Sequence, residues 1–122
     1  MKVSRDQAGA GPIVTGFGQR GFRVGEDWHR AVLLTETVAI AWTAPPLESL
    51  GIDDLAALVA GRPEFILLGT GATLRRPPLA LTRALDAAGM GLEPMDSRAA
   101  ARAWGVLRGE GRPVAAALYP LD

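Results

Sequence analysis

Residues 65–78 read "FILLGTGATLRRPP": an apolar run breaks at Gly69, Thr70 and Gly71, and Arg75 and Arg76 then stand ahead of two prolines. Further along, Asp96 and Ser97 open the stretch "DSRAAARAWGVLR". Glycine amides, hydroxyls and guanidinium groups are what a small anion requires, because free N–H groups at a helix start and arginine forks both donate to negative charge. Asp96 would oppose an anion placed there. "GTGATLRR" is neither a GxGxxG fingerprint nor a Walker loop, since it lacks the final glycine of the first and the Gly-Lys-Ser/Thr ending of the second. The same glycines also read as a tight turn leaving a buried strand, with the arginines simply solvated.

Other chemistry is sparse. The chain has no cysteine and a single histidine, which removes thiolate nucleophiles, Cys-ligated metals and histidine-rich metal sites. His29, beside Asp27 and Trp28, has no serine or cysteine nucleophile placed with it and reads as a hairpin surface residue. Trp28, Trp42 and Trp104 do not interleave with basic residues, so they read as core or interface rather than as a base-stacking platform. Glu110 and Arg112, in "GEGRP", read as a local ion pair or a partner contact on the side of the sheet opposite Gly69 and Asp96. No catalytic residue, no metal and no cofactor is expected.

The 122 residues fit one domain, large enough to bury a core. Hydrophobic residues make up 48% and charged residues 21%, the proportions of an ordinary globular chain. Thirteen basic and thirteen acidic side chains balance, so no global field attracts nucleic acid or an anionic membrane. The first twelve residues lack the apolar stretch of a secretory signal and are expected to form a flexible arm, leaving residues 13–122 as a single α/β domain. No apolar segment reaches the roughly eighteen residues of a membrane span, so a cytoplasmic location is expected.

The elements that must position the candidate residues follow from the hydrophobic period. Gly21–Val24, Ala31–Leu34 and Val38–Trp42 are β-rich pieces separated by turn-like residues, which predicts an antiparallel β-meander. After "TAPPLES" the period becomes helical, with Ile52, Leu55, Leu58 and Val59 on one face, Asp53 and Asp54 in the first turn, and Gly61 as the residue just past the end. A strand is expected at Phe65–Leu68, a helix from Pro78 to Ala88 with Leu81, Leu85 and Ala88 buried, and a short strand at "GLEPM". Asp96 can cap a last helix over 97–108, in which Ala99, Ala100, Ala103, Trp104, Val106 and Leu107 gather on one side and Arg98, Arg102 and Arg108 on the other. A strand from Pro113 to Tyr119 closes the chain.

A meander followed by alternating strands and helices predicts a layered α/β domain in which β-α-β units give a mixed sheet flanked by helices. Ligands of such sheets sit outside the carboxyl ends of the parallel strands. Residues 69–76 and Asp96–Ser97 are two loops of that kind, and on neighbouring strands they would line one crevice.

Taken together, "ILLGTGATLRRPP", "MDSRAAARAWGVL" and "GEGRPVAAALYP", with the "GFRVGEDWHRAVLL" entry and "AWTAP", resemble a family of small proteins of unknown molecular function that includes mitochondrial respiratory complex I assembly factor 3. The resemblance spans roughly Ile13 to Tyr119. It implies a compact mixed-sheet domain and a role in assembling a respiratory complex through protein contacts. The family's last helix often carries Tyr-Asn before Val-Leu, and threonine after the aspartate; here Trp104-Gly105 and Ser97 stand in those places. A mid-helix glycine costs ~1 kcal/mol against alanine, so Gly105 points to a close approach by something.

Two functions of different class follow. One is a non-catalytic interaction or assembly protein whose contact face includes Arg98, Arg102 and Arg108. The other is a small-molecule or anion-binding protein, or an enzyme, using the crevice of Gly69, Thr70, Gly71, Arg75, Arg76, Asp96 and Ser97.

Overall fold

The computed structural model describes residues 11–122, so the expected arm lies outside the described residues except at its last two positions. Its central strand is the alanine-rich β8 (Ala115–Leu118), flanked by two neighbours and buried at every position. Such a strand, covered on both faces, reads as a continuous apolar run rather than as an alternation.

Around it stand β4 (Val32–Leu34), β5 (Ala39–Ala41), β6 (Phe65–Gly69) and β7 (Gly91–Met95), in the order β5-β4-β8-β6-β7. The sheet is mixed as expected: β6 runs parallel to β7 and β8, while β4 is antiparallel to β5 and β8. Pro94 lies in β7, at the edge of the sheet, where a missing donor is tolerated and blunts further pairing.

The expected meander divides in two. β1 (Val14–Gly18), β2 (Gly21–Val24) and β3 (Asp27–His29) form a separate three-stranded antiparallel sheet, and only the β4–β5 hairpin joins the main one. Within the small sheet the chain packs closely at Gly21, whose φ is +101° and where a Cβ would fall 2.1 Å from the His29 carbonyl oxygen. Only glycine allows that close return of the chain.

Side-chain alternation sorts the core onto two faces of the main sheet. Leu33, Ile66, Leu68, Ala115, Ala117 and Tyr119 face one cluster, covered by α2 (Leu79–Ala87) and by the turns before β6. Val32, Leu34, Leu67, Ala116 and Leu118 face the other, covered by α3 (Ser97–Gly109) and β2. Alanines at 100, 101 and 116 leave room for Trp104, which is fully buried among them.

The helix expected over Ile52–Val59 is instead a 3-10 turn, Ile52–Leu55, followed by the single α-helical turn α1 (Ala56–Val59). The Asp54 carboxylate accepts from the Gly51 N–H at 2.8 Å and ties down the start, while Leu55 and Leu58 are the buried anchors. Gly61 does not terminate it in the left-handed region; Arg62 does, at φ +50°. α2 ends as expected, at Gly89 with φ +83°.

Candidate functional site at the carboxyl edge of the sheet

β6 and the start of α3 meet at the carboxyl edge of the parallel strands. A Cβ on Gly69 would lie 2.8 Å from both Cα and Oγ of Ser97, so the first turn of α3 can rest on the end of β6 only because position 69 is glycine. Gly71 then turns the chain at φ +112°. Ser97 N–H donates to the Gly71 carbonyl, the Gly71 N–H donates to Ser97 Oγ, and that hydroxyl donates to the Tyr119 carbonyl, each at 2.8 Å.

The two loops predicted to share a crevice therefore do come together, but their polar atoms are turned on one another. Thr70 Oγ1 donates to the Thr73 carbonyl at 2.8 Å and accepts from the Arg75 N–H at 2.9 Å. Asp96 Oδ1 accepts from the Ala99 N–H at 2.9 Å, the expected helix cap. Gly69, Thr70, Gly71, Asp96 and Ser97 thus form a closed joint between strands and helix. Arg76 is exposed, and Arg75 turns away from the joint toward Glu48, 3.1 Å distant.

Arg75 lines a cavity of about 730 Å³ beside the joint, together with Arg30, Trp42, Pro45, Glu48 and Tyr119. Tyr119 is only 7% exposed, its ring meets Trp42 edge-on at 5.2 Å, and its hydroxyl has no hydrogen-bond partner. Burial pushes the Tyr119 phenol up to about 12; the nearby carboxylates of Asp54 and Glu48 add to this, and Arg75 works against it. Arg30 and Pro120 also line a second hollow of about 530 Å³ reaching Gly18 and Arg98, in which Arg30 holds both oxygens of Asp122 at 2.9 Å. That hydrogen bond keeps the Asp122 carboxyl below its ordinary value.

Sequence reasoning missed Arg30, Trp42, Glu48 and Tyr119 as a group. The available signal was Tyr119, the single tyrosine, at the carboxyl end of a buried alanine-rich strand. No helix follows β8, so the pattern of a strand leading into a helix does not mark this end.

The outer face of α3 differs from expectation by a rotation. Arg98 and Arg102 are exposed, but Arg108 is buried, its guanidinium 6.0 Å from the Trp104 ring and donating to the Arg112 carbonyl at 2.7 Å. Val106, expected inside, is 62% exposed, whereas Ala101 is buried. The helix packs against both β6 and β1, so its contact stripe is set by two sheets rather than by one. Arg112 pairs with Glu64 at 2.6 Å rather than with Glu110, and that bond raises its pKa further. Among the described residues no helix is long and apolar enough to cross a membrane, and no group of three His, Cys, Asp or Glu side chains is placed to hold a metal.

Known proteins share this chain's fold and much of its length. The chain is 43% identical over 117 residues to an uncharacterised protein of Rhodobacter capsulatus, covering 93% of this chain and 88% of that one. A crystal structure of a Bordetella parapertussis protein matches with a TM-score of 0.81 at 31% identity, over 91% of this chain and 97% of its own. A solution structure of a Bordetella pertussis protein described as a Mth938-like domain matches with a TM-score of 0.78 at 26% identity, over 94% and 88%. A family model described as protein of unknown function (DUF498/DUF598) matches residues 14–119, from the first strand to the buried tyrosine. A mixed five-stranded sheet, a small antiparallel sheet beside it and the closed joint at Gly69 and Ser97 are thus the build of this chain as a member of the DUF498/DUF598 family, with a Mth938-like fold.

Proposed function

We propose that this domain works through protein contacts, as an interaction or assembly factor, with respiratory complex I as the target that the family resemblance implies. The observation that carries the reading is the outer face of α3. Arg98, Arg102 and Val106 follow one another at four-residue steps and are all exposed. Beside Val106, a Cβ added at Gly105 or at Gly109 would meet nothing within 4 Å.

Nothing among the described residues therefore asks for glycine at position 105, where it weakens the helix by ~1 kcal/mol against alanine. Close approach of a partner's backbone gives it a reason. Two guanidiniums and one exposed valine suit a partner segment that presents carboxylates beside an apolar side chain. Arg108 is no part of this face.

The test is crosslinked affinity capture from the source cells, comparing the wild type with an Arg98→Glu/Arg102→Glu variant and with Gly105→Leu, which fills the glycine position while favouring the helix. Respiratory complex I subunits captured by the wild type and lost in both variants support the reading. Capture that is unchanged in the variants, or that contains no respiratory subunit, refutes it. A second reading, a small-ligand site, is favoured by the cavity at Arg75 and Tyr119 rather than by the closed joint.

A further inference from the structure

Three hollows at the carboxyl edge join into one groove. The hollow of about 530 Å³ and the cavity of about 730 Å³ share Arg30 and Pro120, and that cavity shares Arg75 with a third hollow of about 400 Å³, lined by Leu74, Arg76, Pro77 and Pro94. The first and third hollows share no residue, so they are the two ends of the groove. Hollows of these volumes are each roughly 10 Å across, and about nine residues of extended chain at ~3.3 Å each would span all three.

Four guanidiniums and two carboxylates line this groove. Toward the middle the charges cancel, since Arg30 pairs with Asp122 at 2.9 Å and Arg75 with Glu48 at 3.1 Å. The ends differ. Arg98 in the first hollow and Arg76 in the third are exposed, and neither has a carboxylate partner among the described residues. Between them the wall is largely apolar, from Leu121 past Trp42 and Pro45 to Leu74, which is 64% exposed. The third hollow is preformed, because Thr70 Oγ1 holds both the Thr73 carbonyl and the Arg75 N–H, and two prolines follow. The closed joint thus shapes one wall of an open groove.

We propose that the groove binds an extended protein segment carrying a carboxylate at each end of an apolar stretch, an inference that rests on the protein-contact reading above and names the chemistry of one partner. One carboxylate pairs with Arg98 and the other with Arg76, while apolar side chains cover Trp42, Pro45 and Leu121. Each hollow alone has the size of a small-molecule site, so a small acid would reach only one of the two unpaired arginines. A nucleic-acid strand, charged at every residue, would set phosphates against Asp122 and Glu48. Residues 1–10 of this chain carry Lys2 and Arg5 against Asp6, the wrong sign for either end.

The experiment is fluorescence anisotropy on the full chain with the labelled, end-blocked peptide Glu-Glu-Leu-Pro-Leu-Pro-Leu-Glu-Glu, whose prolines keep it extended. Saturable binding is expected, about tenfold tighter than that of the same peptide with glutamine for glutamate or with serine for leucine. Arg76→Gln and Arg98→Gln should each weaken it about three- to fivefold, the worth of an exposed ion pair. Arg83→Gln, exposed on α2 and outside the groove, should leave it unchanged. No saturable binding, equal binding of the glutamine or serine peptide, or an Arg76→Gln variant that binds like the wild type would overturn the groove. Binding lost in Arg102→Gln but kept in Arg76→Gln would move the peptide to the outer face of α3, which overturns the groove and leaves the protein-contact reading standing. Affinity capture without respiratory subunits, with the peptide bound as expected, would refute that target and keep the groove.

Discussion

Replacing Ser97 by alanine removes one oxygen and tests whether the glycine loop is a structural joint. Ser97 Oγ is fully buried, accepts from the Gly71 N–H and donates to the Tyr119 carbonyl, each at 2.8 Å. Ser97→Ala leaves both of these backbone groups without that partner at the meeting point of β6, β8 and α3. Each buried group orphaned in this way costs about 1–3 kcal/mol, so a loss of about 2–6 kcal/mol is expected. With an unfolding entropy of ~2.1 cal/mol/K per residue over 122 residues, that loss lowers the melting temperature by about 8–23 °C. Urea denaturation followed by tryptophan fluorescence measures it directly. Asp96→Ala is the comparison, since Asp96 caps the same helix but bonds only to the Ala99 N–H; a lost cap costs about 1 kcal/mol. If Ser97→Ala costs no more than Asp96→Ala, the joint is not held by the serine and the reasoning fails.

Glycine-to-alanine changes at two positions should have opposite signs. Gly69→Ala places a Cβ 2.8 Å from the Ser97 backbone and should destabilise by about 1–3 kcal/mol, whereas Gly105→Ala meets nothing within 4 Å and should stabilise by about 1 kcal/mol; thermal denaturation of both variants checks the pair. The single tyrosine makes the pH dependence readable, because near-ultraviolet absorbance of the phenolate reports Tyr119 alone. Its folded pKa, about 12, lies above the ordinary tyrosine value of 10.0, so the stability it contributes is complete below about pH 10 and is lost as the pH rises toward 12. A phenolate transition near pH 10 in protein whose near-ultraviolet circular dichroism is still native would contradict the buried, unpaired hydroxyl.

Much of the fold was legible because its signals are local. The buried run "FILLG", the helix entered at Pro78 and ended by Gly89, and the cap at Asp96 each depend on residues within a turn or two of one another. The short 3-10 and α1 segment was read as one helix because its apolar spacing fits a helix, and only the Gly51–Asp54 contact fixes the tighter start. The division of the front strands between two sheets was not legible, since it depends on which strands pair with β8, a long-range contact that local period does not carry.

The candidate site divides in the same manner. The spacing of Gly69, Gly71, Asp96 and Ser97 puts each pair just after a strand, so the two loops adjoin only if those strands are neighbours, and the parallel pairing of β6 with β7 supplies that condition. It could not show that the hydroxyls would be spent on Gly71, Thr73 and Tyr119, because those partners depend on atomic positions. The buried face of α3 was off by part of a turn for a related reason: helix periodicity fixes which residues share a stripe, but the contacting sheets decide which stripe is buried, and two sheets contact α3.

By itself, then, the sequence determined the α/β class, the element order after the meander, and the exclusion of cysteine and histidine-rich chemistry, since composition and local period carry that information. Tertiary structure alone decided that Arg108 is buried, that Arg75 faces Glu48, and that Arg30, Trp42 and Tyr119 share one cavity. Arg30 and Tyr119 lie far apart along the chain, and the antiparallel pairing of β4 with β8 brings them to one edge of the sheet.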